Sequence, residues 1–211
     1  LDDVEEDMLE LLSRRIDVKD FGAVGDGIND DTDAIQMAID DADGEEVLLS
    51  RGRYYVTKPI TFKSHAKIVF DGSQIVTDEL FKGVAVLYCN SIDIYDGRGQ
   101  GYLYNANLLS VDDNTNAVGV LLSGIRNFKV DNLTTRGYLK GGLEQLSGYE
   151  LMTNGVNIIA PLIPTREFDY KLQSGFTIKS PDGEHTNGAV VGYPVGVSVK
   201  STNNFVNFHC W

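Results

Sequence analysis

The chain has 211 residues, enough for one domain with its own core, and 42% of them are hydrophobic, which excludes a disordered chain. Its net charge of −13 excludes non-specific nucleic-acid binding, which needs a basic surface, and disfavours attachment to an anionic membrane. The two cysteines, Cys89 and Cys210, exclude a disulfide scaffold, and there is no apolar run long enough for a membrane span. The 22 glycines and 5 prolines suit many tight turns between short strands.

Residues 1–16, LDDVEEDMLELLSRRI, predict a short acidic helix. Leu1, Val4, Met8 and Leu11 follow the 3-4-3 spacing of a and d positions, and Leu9, Leu12 and Ile16 add a second apolar stripe. Two heptads are too few to be stable alone. The segment is expected either to end an oligomerising stem or to lie on the flank of the rest of the chain.

Residues 18–43 carry the most specific pattern. Val18-Lys19-Asp20-Phe21 predicts a strand, and Gly22, Gly25 and Gly27 supply turns. A helix over 31–43 follows, with Ile35, Ala38, Ile39 and Ala42 on one face. Asp31 or Thr32 can cap its first turn, Asp33 suits its positive end, and Gly44 stops it. The glycines are not in dinucleotide-fingerprint order. The acidic run is not an EF-hand loop, because Asp31 stands where glycine is needed and Met37 where glutamate is needed.

From Glu46 onward the texture is one of short alternating strands: Val47/Leu49, Ile60/Phe62, Ile68/Phe70 and Val84/Val86. Apolar-x-apolar triplets start at Ile68, Ile92, Phe128, Val156 and Val206, at gaps of 24, 36, 28 and 50 residues. Recurrence on this scale predicts a solenoid in which stacked coils share a core. Asn90, Asn127, Asn154 and Asn204 sit beside these strands and are expected to be turn residues that tolerate the left-handed conformation. Tyr102–Asn116, Tyr138–Asp169 and Ser180–Gly188 read as insertions or turns between strands, where binding residues concentrate.

The run Val18–Ile39 meets the pattern V-x-x-F-G-A-x-G-D-G-x-x-D-D-T-x-A-I-Q-x-A-I at nearly every fixed position, and Val47–Val56 follows with Arg51 where proline is usual. This stretch resembles the opening of the pectate-lyase-like right-handed parallel β-helix proteins common in phage tailspikes and tail fibres. The resemblance is specific over residues 16–62. It implies an all-β solenoid: a single-stranded right-handed parallel β-helix over 17–211, capped by helix 31–43 and cut short at its C-terminal end. If residues 1–16 end a stem, the resemblance implies that this stem is trimeric; the helix lying on the flank of the chain stays the alternative. Stacked coils then put Cys89 and Cys210 too far apart to pair, and both are expected to be free, with Cys89 buried.

The resemblance implies a virion tail protein that binds a bacterial surface polysaccharide, and hydrolyses it if a carboxyl pair is present. Its partners would be two further copies of itself and other tail proteins, with no nucleic acid or membrane. A non-catalytic receptor-binding segment and a secreted polysaccharide lyase or glycosidase are the alternatives. Hydrolysis needs two carboxyls about 5 Å apart for retention or about 6.5–9.5 Å for inversion. Asp182, Glu184 and His185 gather three titratable groups in one stretch and are the catalytic candidates, against a plain polar turn opened by Pro181-Asp182-Gly183. Asp169, near Glu167 and Arg166, is the next acidic candidate. Tyr102 and Tyr104 are candidates for stacking on sugar rings, with Asp169 beside them as a substrate-binding residue. Neither cofactor nor metal is expected: there is no zinc-ligand spacing, P-loop or Gly-x-Ser-x-Gly elbow.

Overall fold

A computed structural model describes residues 15–91, 100–162 and 174–211. The helix expected over 1–16 lies outside them as far as residue 14, and Arg15 and Ile16 belong to a strand. The chain climbs in coils. The first coil holds β1 (Arg15–Asp17), β2 (Asp26–Asp30) and helix α1 (Thr32–Asp41). The second holds β3 (Glu46–Leu49), β4 (Arg53–Tyr55) and β5 (Ile60–Phe62), and the third β6 (Lys67–Phe70), β7 (Gln74–Thr77) and β8 (Ala85–Asn90). The fourth is β9 (Tyr102–Tyr104), β10 (Asn107–Ser110) and β11 (Val118–Ser123), and the fifth β12 (Ile125–Asp131), β13 (Thr134–Arg136) and β14 (Gly141–Gln145). The sixth is β15 (Gly148–Asn154), β16 (Asn157–Ile159) and β17 (Ser174–Ile178). Then β18 (Gly183–Val191) runs unbroken across two faces, β19 (Val195–Val199) completes the third, and β20 (Asn203–Cys210) repeats the course of β18.

Every ladder between these strands is parallel, and each strand pairs with its counterpart in the neighbouring coil. The result is the expected right-handed parallel β-helix with three faces. Face 1 stacks β1, β3, β6, β9, β12, β15 and the start of β18. Face 2 stacks β2, β4, β7, β10, β13, β16 and the end of β18. Face 3 stacks β5, β8, β11, β14, β17 and β19. One coil of face 1 spans 20 residues from Glu184 to Asn204 and another spans 35 from Lys67 to Tyr102. Insertions of this kind hide the repeat in the sequence.

The first coil has α1 where later coils have a face 3 strand. Its buried residues, Ile35 and Ala38, point inward and it packs over β5, the edge strand of face 3. An exposed edge invites unwanted pairing, and the helix covers it. Two local expectations change here. Val18–Phe21 is a 3-10 turn, not a strand, with the Asp17 carboxylate accepting from the Lys19 amide. Asp31 stands at the N-cap but its side chain does not cap the helix. It is buried and accepts instead from the amides of Val24, at 2.6 Å, and Gly25, at 3.1 Å.

Inward rows form the core. On face 1 the row is Ile16, Val47, Ile68, Leu103, Val130, Thr153, His185 and Phe205. The sequence triplets are not all equivalent. Ile68–Phe70 and Phe128–Val130 lie on face 1, whereas Val156–Ile158 opens face 2 and Val206–Phe208 spans a corner. The Val84/Val86 alternation also fails, because Val84 is exposed and β8 begins at Ala85.

The corner from face 1 to face 2 is turned by left-handed residues at one position in successive coils: Asn105, Asn132, Gly155, Asn187 and Asn207. Of the four asparagines expected to do this, Asn127 alone is left-handed. A short amide that bonds locally tolerates this conformation better than other side chains. Faces 2 and 3 meet closely through a row of glycines, Gly119, Gly142, Gly175 and Gly196. A Cβ on Gly142 would sit 2.2 Å from Thr135 Oγ1 and 2.3 Å from the Ile158 side chain. Both cysteines are free thiols, with Cys89 buried and Cys210 exposed.

Candidate functional site

Tyr102 and Tyr104 are on strand β9, not in a loop. They are two residues apart, so both side chains leave the outer side of face 1. Their rings stack, with centroids 4.3 Å apart and planes 16° from parallel. The Tyr102 hydroxyl donates to Glu46 Oε2 at 2.6 Å, and Arg15 holds Glu46 at 2.7 Å. Burial, and then the bond to the Glu46 carboxylate, push the Tyr102 phenol far above its ordinary value. Lys129 lies 5.8 Å from the centre of the Tyr104 ring and 3.2 Å from Asp131 Oδ2. That hydrogen bond to Asp131, and its negative charge, raise the Lys129 ammonium. The tyrosines are therefore fixed on three sides, and little rotamer freedom remains to be lost on binding.

Register places this pair among the other candidates. One outer row of face 1 reads Lys67, Tyr102, Lys129, Met152, Glu184 and Asn204. Glu184 thus shares a row with Tyr102, three coils on. Two residues ahead of Lys129, Met152 and Glu184 come Asn127, Glu150 and Asp182, all left-handed, with φ of 50°, 57° and 64°. Asp182 is thus an exposed turn residue that opens face 1, its amide bonded to the Thr202 carbonyl. Glu150 and Asp182 occupy matching places in adjacent coils, about 4.8 Å apart along the backbone. Glu150, Asp182 and Glu184 are all exposed.

His185 does not join them. Neighbouring residues on a strand point to opposite faces, so Glu184 faces solvent and His185 is fully buried. Its Nδ1 is 3.1 Å from Thr153 Oγ1 and its Nε2 is 3.2 Å from Asn203 Oδ1. Asn203 Nδ2 donates to the Ser180 carbonyl, so Oδ1 is the acceptor and Nε2 carries the histidine proton. Phe176 meets the ring edge-on at 5.3 Å and Phe205 lies 4.7 Å away. Burial lowers the imidazole to about 4. Asp182, Glu184 and His185 are therefore two surface carboxylates and one neutral core residue. Asp169 lies outside the described residues.

The acidic residues of the cap build turns. The Asp26 carboxylate accepts from the amides of Ile28 and Asn29, which hold it below the ordinary range. Burial raises Asp30, but bonds from Thr32 and Thr57 outweigh it and its carboxyl is lowered. Burial raises Asp31. Among the described residues there is no cluster of three or more histidine, cysteine, aspartate or glutamate side chains placed to hold a metal ion.

Other surfaces carry features that the sequence did not single out as sites. On face 3, Lys179 pairs with Glu144 at 2.7 Å, and Glu144 is in register with Leu121, which is buried with Ala85 and Val118 in a small apolar cluster of its own. A cavity of about 620 Å³ lies between the end of α1 and the β5–β6 turn, with Asp40, Asp43 and Glu45 on one wall and Lys63, His65 and Lys67 on the other. A shallower one of about 500 Å³ lies at the corner of faces 1 and 2. Tyr138 is not on an insertion. It is fully buried, and Tyr193 donates to its carbonyl at 2.6 Å.

Comparison with known proteins agrees with this architecture. The capsule K30/K69-specific depolymerase of Klebsiella phage K64-1 is 33% identical over 210 residues, which take in 89% of this chain and 26% of that protein. The preneck appendage protein of Bacillus phage PZA is 24% identical over 160 residues, or 71% of this chain. The chain spans only about a sixth (17%) of that protein's length. The crystal structure of PfbA, a surface adhesin of Streptococcus pneumoniae, superposes with a TM-score of 0.68 at 18% identity, covering 92% of this chain and 57% of PfbA. Residues 15–207 match the family described as rhamnogalacturonase A/epimerase, pectate lyase-like, and the chain belongs to that family.

Proposed function

We propose that this chain is a segment of a phage tail appendage and that the outer side of face 1 binds a bacterial surface polysaccharide. The observation that carries the reading is the Tyr102–Tyr104 stack, held by Glu46 and Lys129 on an exposed sheet face. The outward edges of the stacked aromatic pair offer apolar contact to a sugar ring, and the charged residues around it offer partners to its hydroxyls. The phage relatives, a capsule depolymerase and a preneck appendage protein, support the same reading. Association as a homotrimer within the virion tail, beside other tail proteins, belongs to this proposal. Among the described residues no helix is long and apolar enough to cross a membrane.

For cleavage, Asp182 and Glu150 are the pair to test, with Glu184 next in line. Coil spacing sets their backbones near the separation that retaining glycosidases use, about 5 Å between carboxyls. A second reading, binding without cleavage, is favoured by a specific observation. Neither cavity described above is lined by these carboxylates, which stand in open solvent.

The test uses capsular polysaccharides of several serotypes, with binding and release of reducing ends followed together. Tyr102→Ala and Tyr104→Ala should each weaken binding about tenfold while leaving the circular dichroism spectrum unchanged, since a stacked ring contributes about 1 kcal/mol or more. If the bound polysaccharide is also cut, Glu150→Gln or Asp182→Asn should abolish the cutting. Binding that is indifferent to both tyrosine changes would remove the proposal.

A further inference from the structure

The corner between faces 1 and 2 differs in chemistry from the rest of this acidic molecule. Along face 2 one outer row reads Arg53, Gln74, Asn107, Thr134 and Asn157 through consecutive coils. Beside it runs the corner row of Asn105, Asn132 and, further on, Asn187 and Asn207. All of these side chains are exposed or half-buried. In a chain of net charge −13, the stripe they form is mostly amide and hydroxyl.

The stripe contains a groove. In the third coil the corner is wide, passing through Asp71, Gly72 and Ser73 before β7 starts at Gln74. In the fourth coil it is tight, turned by Asn105 and Ala106 alone between β9 and β10. The step between the two leaves the cavity of about 500 Å³, and Arg53, Asp71, Gln74, Asn105 and Asn107 supply its polar walls. Gly52 and Gly72 keep its floor and rim free of side chains. The amides are ordered before any ligand arrives. Gln74 Nε2 donates to Asn107 Oδ1 at 3.1 Å, and Asn132 Nδ2 donates to Asn105 Oδ1 at 3.1 Å. Each of these amides uses part of its capacity in those bonds and keeps donors and acceptors for a ligand.

We infer that this corner groove is a second glycan subsite, and that it takes an uncharged, hydroxyl-rich stretch of sugar. Planar amides both donate to and accept from neighbouring hydroxyls on a ring, the guanidinium of Arg53 donates to them and the carboxylate of Asp71 accepts from them. The groove is lined by one guanidinium and one carboxylate whose charges offset, so a uronate finds no net attraction there. The rows repeat at about 4.8 Å, the coil spacing, so a glycan lying along the molecule's axis meets a new amide at every coil. The inference rests on the polysaccharide reading above but uses none of the face 1 residues that carry it.

The experiment is heteronuclear NMR on the 15N-labelled chain, titrated to millimolar concentration with neutral hexasaccharides (gluco-, galacto- and manno-configured) and with a hexauronate. The expected result is that at least one neutral hexasaccharide shifts the side-chain amide signals of Gln74, Asn105 and Asn107 and that the hexauronate does not. Asn107→Ala should weaken that binding about tenfold, and Arg53→Lys, which keeps the charge but loses the planar fork, should weaken it as well. Both sites are surface positions, and an unchanged melting temperature checks that neither variant has lost its fold. Shifts confined to the neighbourhood of Tyr102 and Tyr104 would overturn the corner subsite and leave the face 1 proposal standing. The same shifts with the hexauronate, or retained in Asn107→Ala, would overturn it too. No shift anywhere with any sugar, together with no capsular polysaccharide bound, would sink both proposals.

Discussion

His185 shows how a single step of strand parity separates a catalytic candidate from a core residue. Its neighbour Glu184 is exposed, while His185 is sealed between Phe176 and Phe205 and bonded to Thr153 and Asn203. Gly183 makes this possible, since a Cβ there would stand 2.6 Å from His185 Nε2. The buried ring has a pH signature. Its value falls from 6.5 in an open chain to about 4 in the fold, with burial as the leading cause. Above pH 6.5 both states hold a neutral ring and the stability is fully present. As pH falls from 6.5 towards 4 the unfolded chain takes up a proton that the folded chain refuses. Stability then drops by about 1.4 kcal/mol per pH unit, to a loss of about 3 kcal/mol, and levels off below. Urea denaturation between pH 7 and pH 4.5 should show this slope, and His185→Gln should flatten it. An equal slope in that variant would assign the effect to other groups.

At the scale of elements, the close approach of faces 2 and 3 depends on glycine in four coils running, at Gly119, Gly142, Gly175 and Gly196. Thr135 and Ile158 are both fully buried against Gly142, so neither can swing aside. Gly142→Ala should therefore cost about 1–3 kcal/mol through overpacking, read as a lowered thermal midpoint. A neutral result would show that the coils can slide apart at no cost. The same rows explain what the sequence disclosed. The solenoid, the helix after Asp31 and the buried free Cys89 were legible, because Val18–Ile39 is a near-continuous pattern and alternation marks strands. Register was not legible. The interval from Lys67 to Tyr102 differs from that between Lys129 and Met152, and only the ladders show that all four share one outer row. For that reason Tyr102 and Tyr104 were found as residues but misplaced in a loop, and Glu46, Lys129 and Glu150 were not connected with them. The corner asparagines were anticipated in kind, and Asn105, Asn132, Asn187 and Asn207 do that work in place of Asn90, Asn154 and Asn204.

For the whole molecule, the charge of −13 bears directly on the proposed homotrimer. Bringing copies side by side adds like charge to like charge, and attachment through exposed apolar residues such as Leu80 and Val111 has to exceed that repulsion. Salt changes the balance in a known direction. The screening length shrinks from about 30 Å at 0.01 M to about 3 Å at 1 M, while apolar contact is little weakened. Association of this chain should therefore strengthen with salt, the reverse of what an interface built on opposite charges would show. Sedimentation equilibrium of the 23.2 kDa chain should give a rising average mass between these two salt concentrations, approaching three chains. A mass of one chain at both salts would mean that these 211 residues do not trimerise by themselves. A trimer that dissociates on adding salt would point to paired charges such as Lys179 and Glu144 exchanging between copies instead of within one. Because the tyrosine face, the carboxylate row and the amide corner all lie on faces 1 and 2, a trimer that leaves them open to a polysaccharide has to pack through face 3 or its corner with face 2. Val84→Asp, on the exposed loop that leads into face 3, should then lower the high-salt mass and leave polysaccharide binding per chain unchanged.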